Sequence, residues 1–189
     1  MAKELFERID RKVSSLLDEV LNGSIGLPDL QRPFVWPDTK VKDLFDSMMK
    51  GFPIGYVMLW ASPINYGNTK SIGSNEKQFK RPDDLVIDGQ QRLTSLLAAM
   101  TGVTVKNKDF KDKRIKICFN PLTKEFQVWS QAYENDTRMI SDISLVYKAD
   151  ETHTLRKFRN TVIDRINEGR TKKGEVSLTD TEEELIEDN

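Results

Sequence analysis

The sequence predicts an α+β fold: a mixed sheet with flanking helices and a helical C-terminal part. Three observations carry this. Apolar residues recur at helical spacing in several separate segments, and short apolar runs bounded by turn residues read as strands. The two kinds of segment interleave without forming regular βαβ units. The 189 residues suit one domain and suffice to bury about two-thirds of the unfolded surface.

Taken in order, residues 4–21 place Leu5, Ile9, Val13, Leu16, Leu17 and Val20 at helical spacing, and Asn22-Gly23 supplies the stop. The stretch SIGLPDLQRPFVWP is extended or looped, because Pro28, Pro33 and Pro37 break any helix. A second helix follows, with Asp38 or Thr39 as cap, Val41, Leu44, Phe45 and Met48 on one face, and Gly51 at its end. FPIGYVMLW reads as a turn into a buried strand. Residues 61–82 are rich in Ser, Pro, Asn, Gly and Lys and read as a long surface loop, functional or mobile.

DLVID is a short apolar strand, and GQQRLTSLLAAMTG a helix with Leu93, Leu96, Leu97 and Met100 on one face. KRIKICFN and EFQVW, joined at Pro121-Leu122-Thr123-Lys124, form a predicted β-hairpin. Residues 151–168 read as a basic helix opened by His153, and Thr179 with Glu182 as a capping box that starts a last, acidic helix. Two units are expected: residues 1–150 as the core and residues 151–189 as a helical extension, truncated from a longer protein.

Composition excludes several classes. Hydrophobic residues make up 38% and charged residues 31%, a polar globular balance. No apolar run approaches the roughly 18 residues that span a bilayer, and MAKELFERIDRKVSSLL has no apolar signal core. The single Cys118 and single His153 exclude a disulfide framework, a Cys/His zinc cluster and a histidine-rich nuclease site. Cys118 sits in a strand-like alternation and reads as a buried structural thiol. A reduced, cytoplasmic compartment is expected.

Two segments carry chemistry. In Asp88-Gly89-Gln90-Gln91-Arg92 a strand ends, a glycine permits an unusual backbone angle, and a helix begins. The free N–H groups of a first helical turn and the helix dipole favour an anion there. Gln90 and Gln91 add amide donors, and Arg92 adds a planar fork suited to phosphate. Asp88 is placed to hold Mg²⁺ or to orient water for attack on a phosphoryl group. The plainer reading is a capped helix, with Asp88 as N-cap and the glutamines solvated. The Walker pattern and its Lys are absent, so this is no P-loop.

The second segment is Leu27-Pro28-Asp29-Leu30-Gln31-Arg32-Pro33-Phe34-Val35-Trp36. Polar forks beside aromatic surfaces read a nucleobase or a phosphate. The plainer reading places Phe34 and Trp36 in the core, with Arg32 paired to a carboxylate.

Together, QRPFVW, MMKGFPIGYVMLW and VIDGQQRLTSLLAAM resemble the DUF262 family, the N-terminal domain of GmrSD-type restriction systems and related phage-defence proteins. The resemblance is strong over residues 10–100 and looser beyond. It implies a variant of the ParB/sulfiredoxin fold and the binding and hydrolysis of nucleoside triphosphates. It also implies a separate C-terminal HNH-type nuclease domain or partner, outside this chain. By position it assigns Gln31, Arg32, Gly89, Gln90, Gln91, Arg92 and Thr94 to nucleotide binding. Asp88, Gln90, Gln91 and Arg92 take catalytic roles, and Asp88 holds Mg²⁺. The turn at Gly89 matches the place where ParB-like proteins hold phosphates and where sulfiredoxin keeps its cysteine. No cysteine stands there, so the sulfiredoxin reaction is not expected. Family members continue with a further strand and a motif of Arg, Asn and Ser that this chain lacks.

The competing reading is a non-enzymatic ParB-like DNA-recognition or assembly module. Residues 104–116 and 152–174 are the basic stretches that could follow a phosphate backbone. The overall charge of −1 conceals an asymmetry. From Glu175 onward there are seven acids and no base, so residues 1–174 carry +6.

Overall fold

The structure is a computed structural model that describes residues 6–28, 33–61, 69–70, 72 and 82–188. Its elements run α1 (Val13–Leu21), β1 (Ile25–Pro28), α2 (Asp38–Met49), β2 (Met58–Ala61), β3 (Thr69–Lys70), β4 (Asp84–Asp88) and α3 (Gln90–Thr101). They continue as β5 (Val105–Lys106), β6 (Asp112–Lys113), β7 (Ile117–Asn120), β8 (Glu125–Val128), α4 (Gln131–Glu134), α5 (Ser144–Glu151), α6 (Leu155–Lys172) and α7 (Asp180–Asp188). The α+β expectation holds.

The main sheet has the order β2-β4-β1-β3. Its centre, β4, pairs in parallel with β1, Ile25 facing Asp84, and antiparallel with β2, Ala61 facing Asp84. Leu85 and Val86 are fully buried. Helix α3 packs against α1, α2 and α5 and is buried almost all round, with Leu93, Ala98 and Ala99 at 0% exposure. Its apolar C-terminal part, Leu96 to Ala99, lies in the core, while its first turns bury the polar Gln90, Gln91, Thr94 and Ser95. The hairpin β7–β8 packs on α2 through Phe45, Phe126 and Phe119, with ring centroids 5.5 and 4.7 Å apart in sequence. Val162, Ile166, Leu178 and Ile186 join the same hydrophobic cluster as Leu17, so the cluster runs past residue 150.

Four local expectations are corrected. The first helix begins at Val13 rather than residue 4. Phe6 and Ile9 remain 85% and 57% exposed, and a short helical stretch without tertiary packing is not stable in water. The second helix starts after Pro37, whose fixed backbone angle suits a helix entry, and Asp38 lies in the first turn without capping it. FPIGYVMLW is not a buried strand. Residues 52–57 are irregular, and β2 is an edge strand with Met58 and Trp60 exposed. The predicted helix over 151–168 starts later, at Leu155, and Glu151 is the last residue of a separate helix, α5. The chain turns at Thr152–Thr154, where His153 has φ 54°, and α6 then runs on to Lys172. Gly169 lies within α6 against Thr137, where a Cβ would collide.

The Thr179–Glu182 capping box forms as expected. The Glu182 N–H donates to Thr179 Oγ1 at 3.3 Å, and the Thr179 N–H donates to Glu182 Oε2 at 2.9 Å. Arg170 grips the same carboxylate with both terminal nitrogens, at 3.0 and 2.6 Å. Cys118 is buried as predicted, its thiol 3.2 Å from the Ser141 carbonyl oxygen. Most of the long loop at 61–82 lies outside the described residues.

Candidate functional site

The site forms where β4 hands over to α3. The residue between them is Gly89, with φ 87° and ψ 8°. That left-handed conformation is open to glycine and strained for other residues. A side chain there would also press on the Tyr56 carbonyl and the Val57 backbone, both 3.1 Å from an ideal Cβ. The turn brings Ile87, Asp88, Gly89, Gln90, Gln91 and Arg92 around a cleft of about 200 Å³, with Trp36 as the remaining wall.

Gly89 itself is the N-cap of α3, and no side chain caps the helix. Asp88 is therefore not the capping residue of the plainer reading. Its side chain is 70% exposed, and it faces Arg92 Nη2 at 3.4 Å. Nor are the glutamines solvated, for Gln90 and Gln91 are each 9% exposed. Gln91 spans two backbone groups of the 33–36 segment. Its Nε2 donates to the Pro33 carbonyl at 3.2 Å, and its Oε1 accepts from the Val35 N–H at 2.9 Å.

Arg92 lies mostly covered, its side chain 24% exposed. Nη2 donates to the Tyr56 carbonyl at 2.6 Å. Nε is buried and has no partner among the described residues. The guanidinium rests against Gly55, whose φ is +85° and whose ideal Cβ would lie 2.9 Å from Nη1. Gly55 and Tyr56 thus belong to the site although the sequence reading passed over them. The signal was present, since Pro53-Ile54-Gly55 puts a stiff residue and a permissive one just ahead of a strand.

The other predicted residues divide. Gln31 and Arg32 lie outside the described residues. The described strands β1 and β4 are parallel, so their C-terminal ends lie at the same end of the sheet, a usual place for ligands in open sheets. Thr94 does not line the cleft. It is 1% exposed, and its Oγ1 has no partner among the described residues. The aromatics separate too: Phe34 is 3% exposed in the core, whereas Trp36 is partly exposed and lines the cleft.

The basic stretch at 104–116 is largely ion-paired. Lys106 meets Asp112 at 2.8 Å, Lys113 meets Asp38 at 2.7 Å, Arg114 meets Asp142 at 2.7 Å, and Lys116 meets Glu134 at 3.6 Å. On α6, Arg159 pairs with Glu187 and Arg170 with Glu182, while Arg156, Lys157 and Lys172 are exposed. Among the described residues no three His, Cys, Asp or Glu side chains gather as a metal cluster. Asp88 supplies the carboxylate of the cleft. Mg²⁺ keeps several waters and takes one or two carboxylates together with phosphates. Asp88 therefore suits an ion that arrives with a polyphosphate. No helix among the described residues is long and apolar enough to cross a membrane.

Fold and site define an α+β domain with a polar cleft at a strand-to-helix turn. The sequence profile of the GmrSD restriction endonuclease N-terminal domain matches residues 13–187, and the chain belongs to that family. The chain is also similar to an uncharacterised protein of Methanocaldococcus jannaschii, 33% identical over 97 residues. That alignment covers 48% of this chain and 17% of the archaeal protein, so the chain spans a small part of the relative's length.

Proposed function

We propose that this domain binds and hydrolyses a nucleoside triphosphate as the regulatory part of a DNA restriction and phage-defence protein. The observation that carries the reading is the cleft itself, walled by the consecutive residues Ile87 to Arg92 at a helix N-terminus. The first-turn N–H groups of α3 and its dipole hold the phosphates. Arg92 meets them with the N–H groups not engaged by Tyr56, and offsets charge that develops on the transferred phosphoryl group. Asp88 orients the attacking water and holds Mg²⁺. That ion, when bound, shields phosphate charge. Gln90 faces the ligand, and Gln91 positions the 33–36 segment through its two backbone bonds. Phosphoryl transfer is mostly positioning and electrostatics, so so few groups are chemically adequate.

DNA cleavage is assigned to a nuclease domain or partner outside this sequence, and the whole protein works in the cytoplasm on foreign DNA. The ion pairing of residues 104–116 supports the nucleotide reading over a DNA-recognition module, because paired lysines attract phosphate less.

The test is calorimetric titration of GTP, ATP, CTP and UTP with Mg²⁺, alongside phosphate release. Arg92→Ala is expected to weaken binding by roughly tenfold or more. Lys157→Ala, on the far helix, is expected to leave it unchanged. Arg92→Lys and thermal melts control for folding. Equal affinity of wild type and Arg92→Ala would sink the assignment.

A further inference from the structure

We propose that Trp36 is the nucleobase platform of the cleft, the ring against which the base of a bound nucleoside triphosphate stacks. The proposal rests on the phosphate reading of the Gly89 turn and adds the other end of the ligand.

The structure separates two aromatic residues that the sequence leaves equivalent. Phe34 is a core residue whose N–H donates to the Lys106 carbonyl at 3.3 Å. Trp36, two positions on, is only partly buried and forms one wall of the cleft. Its place relative to the phosphate turn is fixed. The Val35 N–H is bonded to the Gln91 side chain in the first turn of α3, so the ring stands beside that turn and not at the end of a loose loop.

A face of the ring is reachable from solvent. The ammonium of the exposed Lys40 sits 4.4 Å from its centroid. A face that receives a cation also receives a flat base, which stacks on the same π surface. The displaced lysine has a long stem and can swing toward the phosphates. Ile87, 51% exposed, supplies a second apolar surface of the same cleft. An apolar pair beside a polar, cationic turn suits a ligand with a planar ring at one end and an anionic chain at the other.

Stacking is indifferent to hydrogen-bond pattern, so Trp36 contributes affinity for any base and leaves the choice of base to other residues. It therefore affects nucleotides and not phosphate chains that lack a base.

The experiment is calorimetry on wild type, Trp36→Phe and Trp36→Ala with two probes, the tightest-binding of the four ribonucleoside triphosphates and inorganic tripolyphosphate. Trp36→Ala is expected to lose roughly tenfold in nucleotide affinity. Trp36→Phe should keep most of it, and tripolyphosphate affinity should be equal in all three. Loss of both probes together in Trp36→Ala, with Trp36→Phe normal, would make the ring a structural wall and overturn the platform. Unchanged nucleotide affinity in Trp36→Ala would overturn it as well. A wild type that binds neither probe overturns the phosphate reading first and the platform with it.

Discussion

Gln91 and Val35 are joined across 56 positions of sequence, the Val35 N–H donating to the Gln91 side chain at 2.9 Å. The same amide donates to the Pro33 carbonyl at 3.2 Å. One side chain thus satisfies a donor and an acceptor of an extended segment, as a neighbouring strand would. This ties the Gly89 turn to the segment that carries Trp36.

Removing that amide should loosen the segment. Gln91→Ala leaves the Pro33 carbonyl and the Val35 N–H without their partner, at an expected loss of about 1–3 kcal/mol in urea unfolding. Hydrogen exchange at Val35 should accelerate in the same variant. A stability change within a few tenths of a kcal/mol, with Val35 protection intact, would refute the clamp.

Gly55 and Gly51 form a matched pair for testing the Arg92 seat. Both have positive φ, +85° and +70°, but only Gly55 has a neighbour near its absent Cβ, Arg92 Nη1 at 2.9 Å. Each substitution by Ala should cost about 1–2 kcal/mol through backbone strain alone. Gly55→Ala should cost more, and the excess should vanish when Arg92 is also replaced by Ala. Additive effects in that double-mutant cycle would show that the guanidinium does not press on Gly55.

The Arg170–Glu182 pair makes a pH prediction. The fork of Arg170, followed by the Thr179 N–H, lowers the Glu182 carboxyl from 4.5 to about 2. A carboxylate whose pKa is depressed by folding stabilises the native state above its unfolded pKa and loses that contribution as pH falls. The stability gap between wild type and Glu182→Gln should therefore be constant above about pH 5 and close between about pH 4.5 and 2. A gap that stays open down to pH 2 would contradict the pairing.

Cys118 should be inert in the native chain. Burial pushes its thiol up to about 11, so little thiolate exists near neutrality. Labelling by a thiol reagent near pH 8 is expected to be slow in native buffer and fast after denaturation. Equal rates would mean that the hairpin opens freely.

Much of the fold was legible because its boundaries are punctuated. Asp88-Gly89 and Gly102 bracket α3, Asn22-Gly23 ends α1, and Thr179 with Glu182 opens α7, each by a local rule. What escaped depended on distant neighbours. Leu5 and Ile9 have the right spacing for a helix, but Ile9 is left 57% exposed. The turn at His153, between α5 and α6, carries neither Gly nor Pro. Edge and centre strands read alike in FPIGYVMLW, because sheet order is not local.

The candidate site was legible to a similar depth. The spacing of Asp88 to Arg92 pointed to an anion at the turn, and those residues do share one cleft. The bond partner of Gln91 lies 56 residues away, so its bridge to Val35 could not be read from a spacing rule. Phe34 and Trp36 looked equivalent, since exposure alone separates them.

The parallel pairing of Ile25 with Asp84 bears on the order in which the molecule is made. Parallel strands need a long crossover, and closing a long loop is slow relative to forming a helix or hairpin. The cleft takes one wall from within that crossover, Trp36, and the rest from its far end, Ile87 to Arg92. During synthesis β1 and α2 emerge first and wait for β4 and α3. The cleft is thus a late feature in the life of the nascent chain, and a partly folded intermediate lacks it.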